Sequence, residues 1–119
     1  AFQIVDDLLD IEGDSKLIGK NNGDDFRERK LTLPFIKTIS CCDSNERKFW
    51  KRTIEKGEQT AEDFNIALKL MKKYGTIEKT KSDALKWGKI AKEALSAVPD
   101  NNIKMILINL ADYVVDRVK

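Results

Sequence analysis

Histidine is absent from this 119-residue chain, and cysteine occurs only as the neighbouring pair Cys41-Cys42. Without His, and with no CxxC spacing, the usual nitrogen and sulfur ligand sets for zinc are missing. Neighbouring cysteines make a poor disulfide, because consecutive Cα atoms stand about 3.8 Å apart, short of the usual separation. Reduced thiols fit a cytoplasmic setting. Long apolar runs are missing as well. No stretch approaches the roughly 18 residues of a membrane-spanning helix, and no secretory leader pattern is visible. Neither sign of charge dominates: 22 basic residues face 20 acidic ones, for a net charge of +2. The basic residues are spread along the chain rather than clustered, which argues against a nucleic-acid partner.

What remains is a chain that reads as helix almost throughout, with no convincing strand, repeat or low-complexity tract. Hydrophobic residues make up 41% and charged residues 35% of it, a balance that suits helices with heavily charged outer faces. Residues 1–119 read as a single helical segment, since no flexible linker divides them. A first helix is expected over Ala1 to Glu12, followed by a loop from Gly13 to Arg29 with several Gly and Asn breakers. Thr32 and Pro34 mark the next helix start, and that helix carries Phe35, Ile36 and Ile39. Asp43 with Glu46 forms a capping-box pattern for a helix through Lys56, ended by Gly57. Thr60 with Asp63 predicts another cap, ahead of Phe64, Ala67, Leu68, Met71 and Tyr74 at helical spacing and a stop at Gly75. A long helix is expected over Thr76 to Ala97, with Ala84, Gly88 and Ala91 allowing close packing. Val98-Pro99-Asp100 predicts a break and an N-cap. The last helix carries Ile103, Ile106, Leu107, Leu110, Val114 and Val118 in a 3-4 repeat. Trp50 and Trp87 are expected to be packing residues.

The chemistry concentrates at the start. Asp6, Asp7 and Asp10 fall within five residues of one another. On a helix this spacing sets Asp6 and Asp10 one turn apart on one face, with Asp7 beside them and Gln3 one turn earlier. Ile4, Val5, Leu8 and Leu9 cover the remaining circumference, so the helix should be buried with its acids facing a cavity. Two carboxylates about 6 Å apart repel by roughly 3 kcal/mol at an effective dielectric of 20. A hard divalent cation held by oxygen ligands, Mg²⁺ or Mn²⁺, relieves that repulsion. Further on stand Gly19-Lys20, then Gly23-Asp24-Asp25-Phe26, then Lys30-Leu31-Thr32-Leu33-Pro34. Acids that hold a metal, followed by lysines on a glycine-containing loop, suit a diphosphate.

These segments, in this order, resemble the second aspartate-rich motif and the following loop of the trans-type polyprenyl diphosphate synthases. Phe49-Trp50-Lys51-Arg52-Thr53-Ile54 and Ala111-Asp112-Tyr113-Val114-Val115-Asp116-Arg117 resemble later helices of the same family. Gly23 to Glu28, with the stretch around Phe49, is most similar to the bacterial long-chain enzymes, the octaprenyl and decaprenyl diphosphate synthases that build a quinone side chain. The Thr32-Leu33-Pro34 segment and the Gly19-Lys20 loop argue against a terpene cyclase.

The resemblance implies an all-α fold, the C-terminal part of an isoprenoid-synthase-type helical bundle. It implies a prenyltransferase that condenses isopentenyl diphosphate with an allylic diphosphate. Asp6 and Asp10 would coordinate Mg²⁺, and Asp7 would do so directly or through water. Gln3, Lys20 and Lys30 would contact diphosphate. Arg29 stands where the family usually has Gly before its lysine. The family's first aspartate-rich motif, its diphosphate-gripping arginines and its tunnel floor have no counterpart here. The chain therefore reads as the C-terminal portion of a longer enzyme, and no residue is assigned as catalytic in isolation. An acidic turn at the very start of a helix, where ends fray, points the same way. The missing partner surface is expected from a second copy or from an N-terminal portion. A non-catalytic helical interaction subunit and a truncated remnant are the alternative readings.

Overall fold

A computed structural model describes residues 1–12 and 22–118. No strand occurs among the described residues, which agrees with the all-α expectation. The helices are α1 (Phe2–Glu12), α2 (Asp24–Arg27), α3 (Leu33–Cys41), α4 (Ser44–Trp50), α5 (Asp63–Tyr74), α6 (Thr76–Ala94) and α7 (Asn102–Asp116). A π-helical turn, Lys51–Glu55, extends α4, and a 3₁₀ turn, Leu95–Ala97, extends α6. No helix among the described residues is long and apolar enough to cross a membrane.

Two cores hold these elements. Ile11, Phe26, Phe35, Cys42, Trp50, Ala67 and Met71 form the larger one. Phe26 is its hub, with ring centroids 6.1 Å from Phe35, 6.2 Å from Trp50, 6.4 Å from Phe49 and 6.0 Å from Phe64. A fully buried aromatic side chain contributes about 2–3 kcal/mol through area alone, and edge-on aromatic neighbours add to it. The smaller core joins Val5 and Leu8 of α1 to Ala84 of α6 and Val118. α1 thus packs into both cores through Val5, Leu8 and Ile11, spaced three apart along one stripe. Between α3 and α6 runs a buried hydroxyl chain. The Thr38 and Thr76 hydroxyls bond each other at 2.7 Å, and Thr80 donates to the Thr76 carbonyl at 2.6 Å. Each hydroxyl has a partner, so burying these polar groups carries little penalty.

Local signals were borne out where the chemistry is local. The Asp43 carboxylate accepts the Glu46 N–H at 2.8 Å and the Glu46 carboxylate accepts the Asp43 N–H at 3.0 Å, a complete capping box. Gly75, at φ 62°, ends α5. Cys41 is exposed, Cys42 is buried, and both are free thiols.

Other expectations need correction. The stretch expected as loop contains α2, because Phe26 is drawn into the core and shapes a helical turn around itself. The helix expected through Lys56 changes to π pairing at Lys51. The cap of α7 is Asn101, whose side chain accepts the Lys104 N–H at 2.8 Å, while Asp100 pairs with the Lys104 ammonium instead. Asp63 does meet Thr60, as acceptor of its N–H at 2.7 Å, but its main partner is Arg52, through two hydrogen bonds of 2.9 and 3.0 Å. Trp87 is 52% exposed and so is not a packing residue here. On α7, Ile103, Ile106, Leu107 and Leu110 all lie exposed, and only the end of the stripe, Val114 and Val118, packs inward.

Candidate functional site

α1 places its three acids unequally. Asp10 is fully buried, Asp7 is nearly so, and Asp6 is half-buried. Burial of a carboxylate is costly without hydrogen-bond donors. The returning chain supplies one: the Asp25 N–H donates to Asp10 Oδ2 at 3.2 Å, while the Gly23 N–H donates to the Asp10 main-chain carbonyl at 2.9 Å and ties the two backbones together. Gly23 is needed for this approach. It sits at φ 90°, and a Cβ there would lie 2.9 Å from the Phe64 ring.

Asp7 is held from the other direction. Gln3 Nε2 donates to Asp7 Oδ1 at 2.9 Å, one turn along the helix. The glutamine expected beside Asp6 thus orients Asp7 instead. Among the described residues, no three acidic, Cys or His side chains converge as a ready metal cage. Asp6, Asp7 and Asp10 form an acidic edge. Carboxylate oxygens are the donor type that hard cations take.

Lys30 stands at the far end of the loop that Asp10 anchors. Its N–H donates to the Asp25 carbonyl at 2.8 Å, and its ammonium meets Glu28 at 2.8 Å and Asp25 at 3.9 Å. The hydrogen bond and charge of Glu28 raise its pKa above the ordinary lysine value, with smaller attraction from Asp25 and Asp10. The side chain is mostly exposed and can turn toward an anion. Lys20 lies outside the described residues.

Two contributors escaped the sequence reading. Phe26 fastens the loop to the core, and Gln59 bridges it to the π turn by donating to the Phe26 and Thr53 carbonyls, both at 3.0 Å. The Phe in Gly23-Asp24-Asp25-Phe26 was a usable signal, as an isolated aromatic between charged residues. Gln59 carried none.

With this geometry in place, comparison with known proteins gives one answer. The Polyprenyl synthetase family profile matches residues 1–71, more than half of the chain, and the chain belongs to that family. It is similar to the octaprenyl diphosphate synthase of Escherichia coli, at 34% identity over 98% of this chain and 36% of that protein. It is similar in fold to the crystal structure of a decaprenyl diphosphate synthase from Rhodobacter capsulatus. That match has a TM-score of 0.88 at 50% identity and covers 99% of this chain and 35% of the other. The polyprenyl synthase from Caulobacter crescentus, solved in complex with calcium and isoprenyl diphosphate, superposes with a TM-score of 0.88 at 41% identity. There 99% of this chain and 36% of the other are covered. The chain thus spans about a third of the length of the relatives it matches, and corresponds to the C-terminal part of such a synthase.

Proposed function

We propose that this chain supplies the second acidic wall and the adjoining lysine loop of a polyprenyl diphosphate synthase. The reaction would join isopentenyl diphosphate to an allylic diphosphate and lengthen the product by one isoprene unit. The observation that carries the reading is the tie between Asp10 and the Asp25 amide. It makes the acidic turn and the Lys30 loop one unit, so a metal at the acids and a cation at the diphosphate are set by the same fold.

In this reading Asp6 and Asp10 bind Mg²⁺, and Asp7, oriented by Gln3, binds it directly or through water. Mg²⁺ held there would supply Lewis acidity toward the diphosphate oxygens. Lys20 and Lys30 neutralise the outer diphosphate oxygens, and Gln3 supports the same group from the α1 side. Preorganised cations aimed at a leaving group act through electrostatics and need no proton transfer from this segment. Relatives named for short-chain, geranylgeranyl and octaprenyl products all align over nearly the whole chain. This supports a segment that serves the ionisation step they share rather than the setting of product length.

The 119 residues alone are then expected to lack elongation activity, because one acidic wall is only half of the metal site. The setting is cytoplasmic in this reading, and the partner is either a second copy or the remaining portion of a synthase. Calorimetric titration with inorganic pyrophosphate, with and without Mg²⁺, tests the site itself. Weak, Mg²⁺-dependent binding is expected. Asp6→Ala should remove the Mg²⁺-dependent part, and Lys20→Ala should weaken binding with metal present. A Mg²⁺-dependent signal unchanged by Asp6→Ala would sink the metal assignment.

A further inference from the structure

Among the described residues, Arg29 alone of the non-glycine residues takes a left-handed backbone, at φ 62°. Side chains other than Gly rarely accept this conformation, and it persists where surrounding contacts hold it. Here the contacts come from the arginine's own side chain. Its Nε donates to the Ile54 carbonyl at 2.8 Å, and its Nη2 donates to the Glu55 carbonyl. These carbonyls lie at the end of the π-helical turn, where a helix leaves acceptors without intrahelical donors. Gly57, at φ 72°, leaves room for the guanidinium: a Cβ there would stand 3.0 Å from Arg29 Nη1.

We infer that Arg29 is a positioning residue, a latch that fixes the Lys30 loop to the π turn and so sets where the Lys30 ammonium can meet a diphosphate. The loop is held at its start by Asp10, in its middle by Phe26 and Gln59, and at its end by Arg29. Lys30 follows the latch directly, and its own N–H closes on Asp25 within the same loop. A π turn is the kind of irregularity that recurs at functional positions, and here its exposed carbonyls receive the latch. The inference rests on reading Lys30 as a diphosphate contact, while the latch itself rests only on geometry.

Arg29→Gly removes the guanidinium but also adds backbone freedom, so Arg29→Asn, which removes the guanidinium and still tolerates the left-handed backbone, should show the same changes. Amide hydrogen exchange on the full chain should show Lys30 and Thr32 exchanging about tenfold faster in Arg29→Gly, with amides of α5 and α6 unchanged. Pyrophosphate titrated with Mg²⁺ should bind roughly fivefold more weakly to Arg29→Gly, and the change should vanish when Lys30→Ala is already present. Arg29→Lys, which can still reach one carbonyl, should restore part of both effects. Unchanged exchange at Lys30 and Thr32 overturns the latch. Equal weakening by Arg29→Gly with and without Lys30 overturns its action through Lys30. If the parent chain binds no pyrophosphate, the diphosphate reading fails, and with it the positioning role; the exchange comparison then decides the latch alone.

Discussion

The carboxylate of Asp10, fully buried on α1, accepts the backbone N–H of Asp25 across the loop at 3.2 Å. Loss of this acceptor strands a buried donor. The acid at the heart of the candidate metal edge therefore also has a structural duty.

Asp10→Ala should destabilise the chain by about 2 kcal/mol, the scale of a lost hydrogen bond with its donor left buried. Asp10→Asn keeps an oxygen acceptor and should cost less than half as much. Both should abolish Mg²⁺-dependent pyrophosphate binding. Urea unfolding of the two variants beside calorimetric titration separates the duties. Stability of Asp10→Ala equal to the parent would contradict the structural one.

Glu46 predicts a pH dependence. It accepts hydrogen bonds from the Lys73 ammonium and the Tyr74 hydroxyl, which join α4 to α5, and from the Asp43 N–H at the start of α4. Lys73 first, then Tyr74 and the Asp43 amide, hold its carboxyl at about 2, well below the ordinary 4.5. The unfolded chain therefore takes up this proton first as the pH falls. The contribution of Glu46 is full above about 4.5 and is lost as pH drops toward 2. Urea midpoints measured across that window should fall more steeply for the parent than for Glu46→Gln. Parallel curves would remove Glu46 from the acid response.

The difference between what could and could not be read from sequence follows the range of the interaction. Asp43 and Glu46 lie one turn apart, so their reciprocal cap is written in four residues. The stripe Ala67, Met71 and its neighbours on α5 shows in its spacing. Phe26 is different, since its burial depends on Phe35, Phe49, Trp50 and Phe64, brought in from three later helices. Nothing near Gly23-Asp24-Asp25 announces them. The π turn at Lys51 has no local signature, although the Arg29 and Gln59 side chains that meet it are plain once it is present. On α7 the periodicity correctly marks one apolar face but cannot name what covers it. The acids of α1 were legible as a motif. Their unequal burial, and the pairing of Gln3 with Asp7, required the fold.

The approach of α6 to α7 depends on Gly88. A Cβ on Gly88 would lie 2.9 Å from Val115 Cγ1, a buried and stiff side chain. Gly88→Ala recovers about 1 kcal/mol of helix propensity, whereas overpacking costs about 1–3 kcal/mol. A net loss of about 1 kcal/mol is expected, and Val115→Ala in the same chain should reverse its sign by opening the space. Thermal unfolding of the single and double variants measures this directly. A stabilised Gly88→Ala single variant would show that the helices separate freely at this point.

The exposed face of α7 predicts self-association of the 119-residue chain. Ile103, Ile106, Leu107, Leu110 and Tyr113 follow one another at helical spacing, and Ile106 is 65% exposed. Contiguous apolar surface on this scale is uncommon on monomers and favours a partner. α6 adds exposed Leu85, Trp87 and Ile90. Sedimentation should show species heavier than the monomer that grow with concentration. Ile106→Glu combined with Leu110→Glu should shift the population toward monomer while leaving helix content by circular dichroism unchanged, since neither side chain is buried. The Trp87 fluorescence maximum should move to longer wavelength in the parent on dilution if α6 joins the contact, and stay fixed if α7 acts alone. A parent chain that remains monomeric at high concentration would show that this face is stable in water without a partner.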